Sequence, residues 1–320
     1  MTADTLQLGQ TADDSATPQD GDMRLWSVTT IIGVLDSPGL KFWAAEQAAI
    51  AATRQQATWK GMLDDCPDDC QHLSARECEA VKWLRNAMNR RPKDILSASD
   101  LGTVVHTLCE EYALTGQRPD TDRIEHEIRT TGAPTVKPDL ELPTITAMLD
   151  QFDGWLSRAQ PSYQATEVCV YSPTYGYAGT CDAFMTVDGT RFITDYKTTR
   201  EPRDGRGKPK TPYPEVSLQL AAYRFAEGAA VWRPRRTEIR WRRYYLMSEA
   251  ERKLAVPVPE VDAGLCIHIT PEACEAYPVA CDEGVHTSFL YVQEAARWNL
   301  QESKDAVGEP LQFDREAVAS

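Results

Sequence analysis

The chain has 320 residues, of which 42% are apolar and 26% charged, and its 18 Gly and 20 Pro exclude collagen-like and low-complexity readings. Mean hydropathy is −0.45, and no apolar run approaches the roughly 18–20 residues that a membrane helix needs. The net charge of −14 argues against a nucleic-acid partner only until its distribution is read, because residues 197–243 carry thirteen Lys and Arg against five Asp and Glu.

Residues 1–22 hold five Asp and no Lys or Arg, a composition that cannot offset its ordering entropy, and are expected as a disordered acidic tail. This stretch has neither a basic nor an apolar region of a secretory signal, so a cytoplasmic protein is expected, bacterial or in a phage-infected host. Ser37-Pro38 reads as the start of an Ala-rich helix to about Thr58. Residues 61–72 read as a loop, and Ser74-Ala75-Arg76-Glu77 as a capping box for a helix to about Asn89. A third helix is expected over Ala98–Leu114, closed by Gly116. Residues 117–140 look like a loop, and Pro143 opens a fourth helix to about Arg158, with Ile145, Met148, Leu149, Phe152 and Leu156 at helical spacing.

The period then changes. Residues 166–171, 180–187 and 191–198 alternate as strands, with Asp188-Gly189 as a tight hairpin between the last two. Residues 199–213 form a basic loop rich in Gly and Pro, and Pro214 introduces a helix to about Val231. Strands are expected at 238–247, 265–270 and 274–279, and a last helix at 283–301. The fold class is α/β: a helical N-terminal part followed by a sheet flanked by helices.

The chemistry concentrates in a few places. Asp195 and Lys197 are two residues apart and share one strand face, and Asp182 approaches from the neighbouring strand. Two converging carboxylates repel unless a cation joins them, and hard oxygen donors suit Mg²⁺ or Mn²⁺. A lysine beside them can orient water or neutralise charge in a phosphoryl transition state. His106 and Glu110 share a helix face, as do Gln219 and Tyr223; each pair alone says little.

Taken in order, Gly102-x-x-x-His106, Gly179-Thr180-x-Asp182, Asp195-Tyr196-Lys197-Thr198 and Gln219-x-x-x-Tyr223 resemble the motif series of RecB-family nuclease domains. These belong to the PD-(D/E)XK superfamily, with Cas-type and phage exonucleases. The resemblance implies a restriction-endonuclease-like core, a central mixed sheet flanked by helices, with a helical N-terminal subdomain. Its expected bounds are an acidic tail 1–22, the helical subdomain 23–97, the nuclease core 98–305 and a polar tail 306–320. It implies that Asp182 and Asp195 bind metal, joined by His106 and the Tyr196 carbonyl, with Glu167 as a further acid. Lys197 matches the catalytic lysine, and Gln219 and Tyr223 the motif that lines the site and contacts a DNA strand. The implied activity is metal-dependent exonuclease digestion from the ends of linear duplex or single strands, in phage-type recombination or repair, with a single-strand annealing recombinase as a candidate partner and no membrane. An endonuclease on the same fold and a catalytically inactive DNA-binding protein are the alternatives. Arg200, Arg203, Arg206, Lys208 and Lys210, just after the catalytic strand, are expected to reach backbone phosphates.

The nine cysteines are odd in number and several sit in apolar runs, so a disulfide framework is not expected. Some relatives hold an iron–sulfur cluster on one upstream and three downstream cysteines. Here Cys266, Cys274 and Cys281 lack the close C-x2-C pair, so no cluster is expected. The spacing of Cys66, Cys70, His72 and Cys78 matches no familiar zinc rule, and these residues are expected not to be ligands.

Overall fold

The structure is a computed structural model that describes residues 21–35, 38–67, 70–72, 74, 76, 78–87, 93–230, 235–239 and 242–310. The chain opens with β1 (Met23–Ser27), α1 (Val28–Ile32), α2 (Pro38–Arg54), α3 (Gln56–Asp64), α4 (Glu79–Arg85), α5 (Ala98–Thr115), α6 (Thr121–Thr131) and α7 (Pro138–Ala159). Strands β2 (Ser162–Ser172), β3 (Tyr177–Val187) and β4 (Thr190–Thr198) follow, then α8 (Glu215–Arg224) and β5 (Gly228–Ala229). The chain closes with β6 (Arg235–Ile239), β7 (Arg242–Met247), α9 (Glu249–Arg252), β8 (Ala263–Ile269), β9 (Cys274–Val279) and α10 (Glu283–Leu300).

The chain divides into two compact units. Residues 36–104 with 120–145 form a helical unit, and residues 1–35, 105–119 and 146–320 form the unit that contains the sheet. In the helical unit, the single helix expected to reach Thr58 is broken at Gln55, and α3 continues through Asp64 into the expected loop. Across the break Trp59 Nε1 donates to the Ala52 carbonyl at 2.9 Å. The expected capping box does not start α4; Cys78 is its N-cap residue, and Ala75 and Glu77 lie outside the described residues. The expected loop at 117–140 contains α6, which Asp120 caps by accepting from the Arg123 N–H at 2.8 Å. Its Ile124 and Ile128 are one turn apart and buried, a helical pair too short to stand out beside the surrounding polar residues. Helix α7 begins at Pro138, so Pro143 falls inside it. The buried Glu141 in that first stretch accepts the Leu96 N–H at 2.8 Å.

Among the described residues of the larger unit, nine strands join in one mixed sheet. β2, β3 and β4 form an antiparallel meander, and β8 then pairs parallel with β4, which needs the crossover that α8 supplies. The β3–β4 hairpin turns where expected: Asp188 (φ 48°) and Gly189 (φ 79°) both take the left-handed backbone of a two-residue turn. Helix α8 stops at Arg224, short of the expected Val231, because Gly228 and Ala229 pair with β2 instead. One face of the sheet packs Val168, Val170, Tyr177, Cys181, Ile193 and Cys266 against α1, α8 and α10. On the other, Tyr196 of β4 packs edge-on against Phe152 of α7, with ring centroids 6.0 Å apart, and its hydroxyl meets that of Tyr163 at 2.9 Å. A fully buried ring such as Phe152 contributes about 1.5–3 kcal/mol.

Candidate active site

The site lies where the sheet forks. β2 runs along one edge of β3 from Tyr177 to Thr186, so every other partner of β3 shares the opposite edge. There β4 pairs with β3 from Val187 to Ala183, and β1 pairs with it at Tyr177 and Ala178. Between them Gly179, Thr180, Cys181 and Asp182 face the gap left where β4 and β1 diverge. At this point Asp182 Oδ2 accepts the Tyr196 backbone N–H at 2.6 Å, a side-chain bond that continues where the β3–β4 ladder ends.

Strand alternation puts Asp195 and Lys197 on one face as expected, with Lys197 Nζ 2.5 Å from Asp195 Oδ2. Gln219 of α8 bridges the two: its Nε2 donates to Asp195 Oδ1 at 2.6 Å, and its Oε1 accepts from Lys197 Nζ at 3.3 Å. The same Nε2 reaches the Tyr223 hydroxyl at 3.2 Å, one turn along. Gly179 has a strict steric role, because a Cβ there would stand 2.3 Å from the Tyr223 ring. His106 of α5 brings Nδ1 to 3.8 Å from Asp182 Oδ2 and sets its ring edge-on to Tyr196. Glu167 falls between the Thr166–Ala183 and Val168–Cys181 pairs, at the level of Asp182 on the neighbouring strand, with φ 49°.

Burial governs the electrostatics. It pushes the carboxyls of Asp182 and Asp195 up to about 6, against the pull of Lys197. It pushes Glu167 up to about 8, reinforced by the charges of Asp182 and Glu110. Burial likewise raises Glu110, while a hydrogen bond with Thr166 opposes it. His106 is lowered to about 4, first by burial, so its imidazole is neutral at pH 7 and its lone pair is available to a metal. For Lys197 burial acts downward, but Asp195 and Asp182 together hold the ammonium above its ordinary value. Four acids with one imidazole form a predominantly hard donor set. Such a set fits a divalent cation of the Mg²⁺ or Mn²⁺ type.

All the candidate residues of the ordered motifs therefore meet at the fork. The basic loop is more divided. Arg203 pairs with Glu272 at 3.1 Å and Lys210 with Glu201 at 3.7 Å, while Arg200 is half-buried. Arg206 and Lys208 are exposed, and their backbone N–H groups are held by the Asp204 carboxylate. Sequence reasoning misses Arg236, which donates to Thr180 Oγ1 at 2.9 Å, lies over the Tyr245 ring and draws the Glu167 carboxyl down. Only Thr180 carries a signal, as the second residue of Gly179-Thr180-x-Asp182.

The PD-(D/E)XK nuclease superfamily description matches residues 71–305. The chain belongs to that superfamily. Among solved structures it is similar to the crystal structure of SSO0001, at 15% identity over 68% of this chain and 82% of that one, with a TM-score of 0.26, too low to bear on function. No curated protein matches. Within the superfamily, a nuclease acting on DNA with a divalent metal is the shared expectation, and no described helix is long and apolar enough to cross a membrane.

Proposed function

We propose that the protein is a RecB-type DNA exonuclease, using Mg²⁺ or Mn²⁺, that degrades DNA from its ends in phage-type recombination or repair. The observation that carries this reading is the meeting of Asp182, Asp195, Lys197 and Gln219 at the open fork between β3 and β4. Asp182, Asp195, Glu167, His106 and the Tyr196 carbonyl are the groups that would hold the metal. When bound, the metal supplies charge neutralisation at the scissile phosphate and a more acidic water.

The remaining work falls to side chains. Lys197 keeps its ammonium at neutral pH and offers a positive charge where negative charge grows on the phosphoryl oxygens. Gln219 fixes both Lys197 and Asp195, so neither rotates out of the reacting geometry. Tyr223, packed against Gly179, walls the site on the α8 side. Hydrolysis adds water across one phosphorus–oxygen bond and frees a hydroxyl and a phosphate monoester. The exposed Arg206 and Lys208 are the groups of the loop best placed to bind backbone phosphates.

The test is digestion of end-labelled linear duplex and of linear single strands, with Mg²⁺, with Mn²⁺ and without metal. Closed circular plasmid is the control. Nucleotide release from linear DNA alone is the expected result. Equal cutting of the circle replaces exonuclease with endonuclease, and no metal-dependent cutting of any substrate overturns the reading.

A further inference from the structure

The helical unit contains a second set of donors that the fork does not use. Cys66 follows α3, Cys70 and His72 lie in the connection, and Cys78 precedes α4. Their spacing alone gives the expectation that they are not ligands, yet the structure brings their donor atoms together. Cys66 Sγ lies 3.6 Å from Cys70 Sγ and 3.6 Å from Cys78 Sγ. His72 Nδ1 lies 3.3 Å from Cys70 Sγ, 3.2 Å from Cys78 Sγ and 3.9 Å from Cys66 Sγ. Among the described residues this is the one group of His, Cys, Asp and Glu whose ligand atoms all lie within 4.8 Å of one another.

These separations have a direct reading. A tetrahedron with Zn–S of about 2.3 Å and Zn–N of about 2.0–2.1 Å has S···S edges of about 3.8 Å and S···N edges of about 3.6 Å. The observed edges fall around those values, and the sulfurs are far beyond the ~2.05 Å of a disulfide. An iron–sulfur cluster spreads its thiolates over several irons, whereas these four ligand atoms crowd around one point. Three thiols and an imidazole are soft to borderline donors, which excludes the oxygen-seeking ions suited to the fork.

The backbone supports the same reading. The Cys70 N–H donates to the Pro67 carbonyl at 2.9 Å and the Cys78 N–H to the Ser74 carbonyl at 3.1 Å. His72 takes a left-handed backbone, φ 54°, which a side chain adopts at a local cost and which here presents its ring to the sulfurs. Apolar packing fastens the segment only lightly: α3 buries none of its described side chains and α4 buries only Ala80.

We propose that Cys66, Cys70, His72 and Cys78 bind one structural Zn²⁺ ion that clasps α3 to α4. With four protein ligands the site is closed, so the ion has no position for water or substrate and acts as a cross-link. Binding releases the thiol protons to solvent, so occupancy falls in acid.

The test uses the full chain, expressed with added zinc, purified without chelator and dialysed against metal-free buffer. Elemental analysis is expected to give about one zinc per chain, and X-ray absorption to give three sulfurs and one nitrogen around it. The Co²⁺-substituted protein should show the visible bands of a tetrahedral ion and thiolate charge transfer. Zinc should be lost in Cys66→Ser and in Cys70→Ser, retained in His72→Cys, and unchanged in the Asp182→Asn/Asp195→Asn double variant. Because the X-ray measurement uses the unaltered chain, misfolding of a cysteine variant does not decide the matter. Wild-type protein without stoichiometric zinc, iron in its place, or an oxygen-dominated zinc shell would overturn the proposal. Each of these readouts is independent of nuclease activity.

Discussion

The β3–β4 fork and the α3–α4 connection both gather metal-type donors, by opposite means. At the fork the donors come from four elements and from residues 106 to 196, placed by a sheet with buried packing on each face. They are mostly oxygens, and each of the two central carboxylates already has an internal partner: the Tyr196 N–H for Asp182, Lys197 and Gln219 for Asp195. In the connection the donors come from thirteen consecutive residues, are sulfur and nitrogen, and lie against one another. On the proposed function the first arrangement stands without its ion and would exchange it during turnover. The second holds little together by itself, so the inferred zinc would be resident. Hard donors on a rigid frame make a working site; soft donors in a thinly packed segment make a clasp.

The largest effects should separate the two regions completely. Asp195→Asn should lower hydrolysis by on the order of 10³-fold or more, because the charge that draws the metal is lost. Its zinc content should not change. Lys197→Met should lower kcat by about 10²–10³-fold while the metal concentration for half-activation stays near that of wild type. A Lys197 variant that needs far more Mn²⁺ would move the lysine's role from the transition state to site assembly.

Gly179→Ala tests whether the fork is as closely fitted as its geometry implies. The new Cβ would collide with the buried Tyr223 ring, and relief by backbone shift costs about 1–3 kcal/mol. Thermal denaturation should show that loss, and the cost should shrink in a Tyr223→Ala background. An equal loss in both backgrounds would assign it to the strand rather than to the ring.

What the sequence makes legible follows the same division. The fork is readable because strand periodicity fixes faces: Asp195 and Lys197 must project together, and Asp188-Gly189 sets the hairpin that brings Asp182 alongside. The ordered motifs then place His106, Gln219 and Tyr223 on helices whose docking no local pattern reveals. Arg236 is not readable, because β6 meets Thr180 only through long-range sheet assembly. The connection misleads for a different reason. Ligand-spacing rules describe common loops, whereas here the hydrogen bonds of Cys70 and Cys78 and a left-handed His72 accompany the gathering of the donors, and spacing does not encode them. Helix α6 escapes notice because its apolar signal is a single Ile124–Ile128 pair.

The fork should also control how stability depends on pH. Folding raises Asp182 and Asp195 from 3.8 to about 6 and Glu167 from 4.5 to about 8, so the fold favours their protonated forms. That contribution is fully present below about pH 4 and is lost as pH rises through about 6 and then 8. The metal-free protein should therefore lose stability as pH rises through that window. Glu167→Gln should flatten the upper part of the loss, and Mn²⁺ should reverse the trend by favouring the ionised acids. Denaturant titrations at several pH values, with and without Mn²⁺, check both. A Glu167→Gln curve parallel to wild type would remove Glu167 from the cluster.

The smallest effects are expected in the basic loop, and they discriminate among its cations. Arg203 and Lys210 already face Glu272 and Glu201, so binding a phosphate would mean exchanging one anion for another. Arg206 and Lys208 are exposed on a turn whose backbone Asp204 pins, and among the described residues neither reaches beyond that neighbouring Asp204 for a partner, so both are open to phosphates from solvent. Removing one phosphate-neutralising cation should lower the slope of log K against log salt by about 0.7–0.9. Arg206→Ala/Lys208→Ala should therefore lower it by about 1.4–1.8, and Arg203→Ala/Lys210→Ala by clearly less. The measurement is fluorescence anisotropy of labelled DNA across a salt series, in the Asp195→Asn background so that the DNA survives. Equal slopes for the two pairs would mean that the ion pairs open freely and that the whole loop grips DNA alike. No change in either would leave the loop as a solvated face that offsets the acidic remainder of the chain.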